Sequence, residues 1–230
     1  MRIGTWNLQQ RWSPAHAALL ERESCDVWLL TEVQRAAAVA SLPAAVRSAD
    51  IPNLRKLKEP RSWSAVFARK GESVSSPHPA SALLHVAGWT FCSSVLPWRG
   101  SGHQPGLWEG DGHGPRMRFA VQSLVPSLTG RPLVWGGDWN QPFEGEDWSS
   151  SKQGRNCVED ACNDLRLHVP TRSLAHRIPG LFSIDHIAVP APVRAVRQVV
   201  AEADGKRLSD HDAYVVDVDL PELAAMPAAS

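Results

Sequence analysis

The sequence predicts an α/β (α+β) chain that folds as one domain over residues 1–220, followed by a flexible tail at 221–230. Three observations predict it. The chain has 230 residues, 43% hydrophobic and 21% charged, enough for a sizeable core and far from a disordered profile. Short β-prone runs alternate with stretches of helical spacing. No repeat of fixed short period and no linker divides the chain.

The first element, Arg2 to Leu8, reads as a buried strand ending at the polar rim Gln9-Gln10-Arg11. Ser13-Pro14 is a helix-start signal, because serine can accept from an orphan amide and proline fits the first helical position. That helix runs through Leu19 and Leu20. Asp26 to Glu32 is a second buried strand with a carboxylate at its end, and alanine-rich Gln34 to Val46 is a second helix. Ser62 to Arg69 and Trp89 to Leu96 read as paired antiparallel strands, Pro97 stopping the latter. Trp98 to Gly114 is a long polar loop with six glycines, two histidines and two tryptophans. Helical spacing resumes from Pro115 to Leu128, shortened or kinked by Pro126, and the strand Pro132 to Trp139 follows. Glu144 to Asp164 is an acidic loop entering a helix that ends before Val169. Phe182 to Val189, Ala195 to Ala201 and Ala213 to Leu220 are late strands. The tail from Pro221 is alanine- and proline-rich.

Lysine plus arginine (24) equals aspartate plus glutamate (24), which excludes a globally basic nucleic-acid binder. A polyanion would have to be gripped locally. The candidate stretch holds Arg47, Arg55, Lys56, Lys58, Arg61, Arg69 and Lys70 against Asp50 and Glu59, and reads equally as a solvated face or a phosphate-binding one. Cys25, Cys92, Cys157 and Cys162 have neither the density nor the spacing of a disulfide scaffold. A zinc site from Cys157, Cys162 and His168 has the wrong cysteine step. With no signal-like apolar core and no run of transmembrane length, a cytoplasmic chain that inserts in no membrane is expected.

Single polar residues end several of the expected strands: Asn7, Glu32, Asp138 with Asn140, Asp185, and Asp210 with His211. Taken singly, each is better read as a turn or cap residue. Jointly they define one edge. Asp138 and Asn140 are two apart and so face one way, with Trp139 opposite. Hard oxygen ligands without cysteine favour magnesium or manganese over zinc. Phosphoester hydrolysis needs such an ion, a base for water and a group supporting the crowded phosphorus.

These residues sit in Thr5-Trp6-Asn7-Leu8, Leu30-Thr31-Glu32-Val33, Gly137-Asp138-Trp139-Asn140, Ile184-Asp185-His186-Ile187 and Leu208-Ser209-Asp210-His211. In this order and spacing the five segments closely resemble the motifs of the endonuclease/exonuclease/phosphatase superfamily, which includes deoxyribonuclease I and exonuclease III. The resemblance implies a four-layer αββα sandwich of two packed mixed β-sheets. It implies that Glu32 is the principal ligand of Mg2+ or Mn2+, with Asn7 and Asp210 supporting the metal and its waters. Asp138 would position or activate the attacking water, and Asn140 would hold a phosphate oxygen or the nucleophile. His211 would stabilise phosphate charge or act as base, oriented by Asp185.

The chain departs from the family where relatives carry a histidine or tyrosine near the end of a central strand, since here Val95 precedes Leu96-Pro97-Trp98. Arg99, His103 or His113 from the glycine-rich loop are the candidates to assist the leaving group, or are solvated loop residues with that assistance absent and a good leaving group preferred. Trp98, with Trp12 and Trp108, falls in loops at the same rim, placed to stack on bases or to be covered by loops. The expected activity is divalent-metal-dependent hydrolysis of phosphodiesters, by a nuclease acting on DNA or RNA as a monomer. The alternatives are a phosphatase or phosphodiesterase for a small or lipid-linked phosphoester, and a catalytically degenerate binding module.

Overall fold

The computed structural model describes residues 1–52, 59–76 and 78–220. In chain order the elements are β1 (Arg2–Asn7), α1 (Pro14–Glu23), β2 (Val27–Gln34), β3 (Ala44–Arg47), β4 (Arg61–Ala68), β5 (Glu72–Val74), β6 (Ser81–Val86) and β7 (Trp89–Ser94). Then come α2 (His113–Leu124), β8 (Leu133–Asp138), α3 (Lys152–Asp164), β9 (Asp185–Ala188), β10 (Val193–Val199), β11 (Glu202–Ala203), β12 (Lys206–Arg207) and β13 (Ala213–Val218). The larger strands form two mixed sheets, ordered β10-β13-β1-β2-β4-β3 and β5-β6-β7-β8-β9. In each sheet one central pair is parallel, β1 with β2 and β7 with β8.

Three apolar clusters give the layers. Ile3, Leu29, Val66, Phe91, Val134, Ile187 and Val216 are buried between the two sheets. Leu19 and Leu20 of α1 pack on the outer face of the first sheet over Trp6, Trp28 and Leu30. On the outer face of the second sheet, Met117, Val121 and Leu124 of α2 and Val158 of α3 cover Trp135 and Trp139. Alternation along each strand therefore feeds two cores, since successive residues point to opposite faces and both faces are covered. The result is the αββα sandwich.

Several elements differ from the sequence expectations. Residues 35–43 form turns rather than the expected Gln34 to Val46 helix, because β2 continues to Gln34 and Pro43 removes a helical donor. Ala37, Val39 and Leu42 instead lie buried against the α1 side of the first sheet. β4 and β7 are not paired: β4 lies between β2 and β3, whereas β7 joins β6 and β8 in the other sheet. The expectations for Arg55, Lys56 and Lys58, and for the 221–230 tail, lie outside the described residues. Of the rest of the basic stretch, Arg47 ends β3, and β4 begins at Arg61 and ends immediately before Arg69 and Lys70. Arg61 donates to the Gln10 carbonyl near the Asn7 end of β1. Arg69 and Lys70 line a cavity with Met1 at the other end.

Candidate active site

Strand direction gathers the polar residues. Asn7 ends β1 and lies opposite Thr31 of parallel β2, so Glu32 is one step further on. In the second sheet Asp138 ends β8 and pairs with Asp185, which begins antiparallel β9. Asp210 and His211 precede β13, which runs antiparallel to β1. C-terminal ends of β1, β2 and β8 thus share an edge with N-terminal ends of their antiparallel neighbours. Asn7 joins the sheets, its Nδ2 donating to Asp138 Oδ2 at 2.8 Å and to Glu32 Oε1 at 3.2 Å. Gln10 Nε2 donates to the other Glu32 oxygen at 3.1 Å.

Asp185 is fully buried and its Oδ2 lies 2.6 Å from His211 Nδ1. Ligand atoms of Asp138, Asp185 and His211 all fall within 4.8 Å of one another. Burial by itself disfavours a charged His211, but the charge and hydrogen bond of Asp185, then Asp138 and Asp210, override it and raise the imidazole to about 10. Burial, followed by the charge of Asp185, pushes Asp138 up to about 7, against the lowering influence of His211 and Asn7. The His211 carbonyl accepts from Trp6 Nε1 and Arg207 Nη2, each at 3.2 Å, which ties the loop to β1 and its core tryptophan.

Two site residues hold unusual backbone. Glu32 and Asn140 have φ of 51° and 52°, a left-handed conformation that costs a non-glycine residue about 1–3 kcal/mol. Asn140 lies beyond the end of β8, so it reaches Asp138 through this turn rather than by strand alternation. Its backbone N–H donates to Asp138 Oδ1 at 2.9 Å and its Nδ2 to the Leu96 carbonyl at 3.0 Å. Gly137 makes the approach possible, for a Cβ there would lie 2.2 Å from the Ser94 carbonyl oxygen at φ 124°.

Beside His211 a cavity of about 430 Å3 is lined by Trp98, Arg99, Asn140, Trp148, His176, Arg177, Ile178 and Asp210, among others. Trp98 and Arg99 of the expected loop therefore reach it, while the other two loop candidates do not line it. His103 is exposed and its Nδ1 accepts from Gly110 N. His113 is buried at the start of α2, with Nδ1 on Ser151 Oγ and Nε2 on the Pro97 carbonyl, so both ring nitrogens are occupied. Burial also lowers its pKa. Val95 is core, and Trp108 is fully buried against Trp63 and Trp98 rather than presented at a rim. Trp12 packs on His16. Among the described residues Cys157, Cys162 and His168 form no metal cluster, and all four cysteines are free.

Sequence reasoning missed His176, Arg177 and Trp148. His176 packs against Trp148 at a tilt of 57° with ring centroids 4.9 Å apart and meets His211 edge-on at 6.0 Å. Arg177 Nε donates to the Asp210 carbonyl. The signal for His176 and Arg177 was the unassigned polar stretch between Val169 and Phe182, whose length matched no expected element, while Trp148 falls in the expected Glu144 to Asp164 loop.

The site fits a hard divalent ion. Asp138, Asp185 and Asp210 bring three carboxylates to one imidazole, Glu32 joins Asp138 through Asn7, and the buried Asp185 Oδ1 has no partner. Uncompensated buried carboxylate oxygen favours a cation. His211 Nδ1 is held by Asp185, so the donors left for an ion are mainly oxygens.

No family model matches the chain, and no curated protein sequence does. Solved structures do. An AP endonuclease from Archaeoglobus fulgidus superposes with a TM-score of 0.69 at 16% identity, covering 96% of this chain and 100% of the other. An endonuclease/exonuclease/phosphatase from Beutenbergia cavernae gives 0.65 at 18%, covering 96% and 71%. The 3′ phosphatase NExo from Neisseria, bound to product DNA hairpin, gives 0.63 at 17%, covering 96% and 100%. Identity at this level speaks to architecture, and the chain has the endonuclease/exonuclease/phosphatase fold.

Proposed function

We propose that the protein is a metal-dependent phosphoesterase that hydrolyses phosphodiester bonds in nucleic acid. The observation that carries this is the convergence of Asn7, Glu32, Asp138, Asp185 and His211 from two sheets into one hydrogen-bonded edge. Glu32, with Asn7 and Asp210, would hold Mg2+ or Mn2+. Bound there, the ion would polarise a phosphoryl oxygen and neutralise developing charge. His211, kept cationic by Asp185, stabilises negative charge on the phosphoryl group. Asp138, fixed by Asn7 and the Asn140 N–H, orients and deprotonates the attacking water. Asn140 places its carboxamide at the cavity wall, where it aligns the phosphate. The names of the similar structures, a DNA-bound 3′ phosphatase and an AP endonuclease, support a nucleic-acid substrate.

One observation favours a second reading. The net charge is zero, Arg61 lies at one end of β4 with Arg69 and Lys70 beyond the other, and Arg47 donates to the Ala37 carbonyl, which suits a small phosphoester better than a long duplex. The same proposal takes the chain to be one domain over 1–220, a monomer and cytoplasmic, with free thiols and no described helix long and apolar enough to cross a membrane. The test is hydrolysis of abasic, nicked, single-stranded and duplex DNA, RNA and small phosphodiesters, with magnesium, manganese or EDTA. Metal-dependent turnover abolished by Asp138→Ala is expected. Cleavage that persists in that variant or in EDTA refutes the reading. Binding to duplex that weakens steeply with salt would select nucleic acid over small esters.

A further inference from the structure

We propose that His176 contacts the substrate, donating a hydrogen bond from Nε2–H to an oxygen of the phosphoryl group bound beside His211; this rests on the phosphoesterase reading above. The backbone fixes the tautomer. The N–H of Ile178 donates to His176 Nδ1 at 3.1 Å, so in the neutral ring the proton sits on Nε2. Nε2 has no partner among the described residues, yet it is not among the sealed, unsatisfied polar atoms, and the ring lines the cavity. A donor sealed away without a partner is destabilising, whereas one that opens onto a ligand cavity is satisfied when the site fills.

The ring is also held still. His176 is 6% exposed, packed against Trp148 at a tilt of 57° and edge-on to His211. Its segment closes on itself through the Ala175–Phe182 bridge and a bond from His176 N to the Leu181 carbonyl at 2.8 Å. The hydroxyl of Tyr214, the chain's one tyrosine, donates to the Ala175 carbonyl at 2.9 Å and anchors the segment to β13. Two imidazoles of opposite character therefore face one cavity. His211 gives its Nδ1 to a carboxylate and carries charge, while His176 gives its Nδ1 to an amide N–H and remains a neutral donor. Burial, which lowers His176, agrees with that state. Val95 and His113 are enclosed in packing and hydrogen bonds and do not line the cavity, whereas His176 does.

The test compares hydrolysis of bis(p-nitrophenyl) phosphate by wild type, Asp138→Ala, His176→Phe and His176→Gln, with urea unfolding to verify that each variant is folded. Phenylalanine keeps the aromatic packing against Trp148 and removes the donor, and glutamine restores an N–H near Nε2. The expected result is a fall in kcat/KM on the order of 100-fold for phenylalanine, with most of it recovered by glutamine. Wild-type rates in His176→Phe, or equal losses in both variants, would overturn donation and leave only packing. If phenylalanine does not fold, His176→Asn replaces it, because its shorter amide does not reach the Nε2 position. A second readout needs no turnover: the imidazole resonances of His176 in wild type, titrated with inorganic phosphate. If wild type hydrolyses neither this diester nor any of the nucleic acids above, the phosphoesterase reading fails and the titration alone decides. A saturable shift then sustains the contact, and an unmoved ring refutes it.

Discussion

Replacing His186 by glutamine probes how the fold supports Asp185, its neighbour on β9. His186 is fully buried, its Nε2–H donates to the Gln141 carbonyl at 2.8 Å and its Nδ1 accepts from Thr171 Oγ1 at 3.2 Å. The rings of Phe143 and Trp139 flank it at 4.7 and 5.6 Å. Burial drives its pKa down to about 3, only partly opposed by the Gln141 carbonyl. An unfolded chain with the ordinary value of 6.5 binds a proton that the native chain refuses. The contribution is therefore whole above pH 6.5 and is lost as pH falls toward 3, at up to about 1.4 kcal/mol per pH unit. Integrated from about pH 6 to about pH 4, the loss is roughly 2.5 kcal/mol. Asp138, raised to about 7, acts with the opposite sign, since protonation of the native carboxyl favours the fold on acidification. The wild-type curve alone mixes the two. The difference between wild type and His186→Gln, measured by urea unfolding at several pH values, isolates the histidine. Its gap should narrow by that amount on acidification. Parallel pH profiles would refute the claim that a neutral, buried His186 is part of the native state.

Glu32→Gln should raise the metal concentration for half-maximal activity roughly tenfold or more, and an unchanged metal titration would reassign the principal ligand. His211→Ala should cut kcat about 100- to 1,000-fold while far-ultraviolet circular dichroism stays native, and near-wild-type rates would remove the imidazole from the mechanism. Trp108→Ala should cost about 3–5 kcal/mol in urea unfolding, because the indole is fully buried between Trp63 and Trp98. A cost under about 1 kcal/mol would mean that Trp108 lies at the surface after all.

What the sequence made legible was the set of strands that end in function. A carboxylate such as Glu32 after an apolar run, or Asp138 after Val-Trp-Gly-Gly, interrupts a buried pattern, and burial has no use for such a residue unless a site does. The two sheets were less legible because a strand with both faces covered loses its alternation. Ser81–Val86 reads as a short apolar run with no period, so β6 went unassigned and its partner β7 was given to β4. Residues 34–46 misled in the other direction. Alanine there favours a helix only where no tertiary packing competes, and Pro43 together with burial of Ala37, Val39 and Leu42 overrides it. The rim was least legible. His176 and Arg177 are placed by a hydrogen-bonded segment that no periodicity announces, whereas His113 carried a catalytic residue type but is spent on Ser151 and Pro97.

The backbone at the site explains why such a centre is built across two sheets rather than on one. Glu32 and Asn140 each occupy a left-handed conformation that glycine would adopt without cost, yet neither can be glycine if the side chain is to act. Each conformation persists because its neighbours fix it. The Glu32 carbonyl accepts from Gln10 N, and Asn140 is bound at once by Asp138 Oδ1 and the Leu96 carbonyl. These partners belong to segments whose positions are set by different cores, the first beneath α1 and the second beneath α2 and α3. Asn7, donating to a carboxylate of each sheet, converts that separate anchoring into one geometry. A change that lets the sheets slide would therefore act first on the Asn7 bridge and on Asp138, and so on catalysis before it acts on stability.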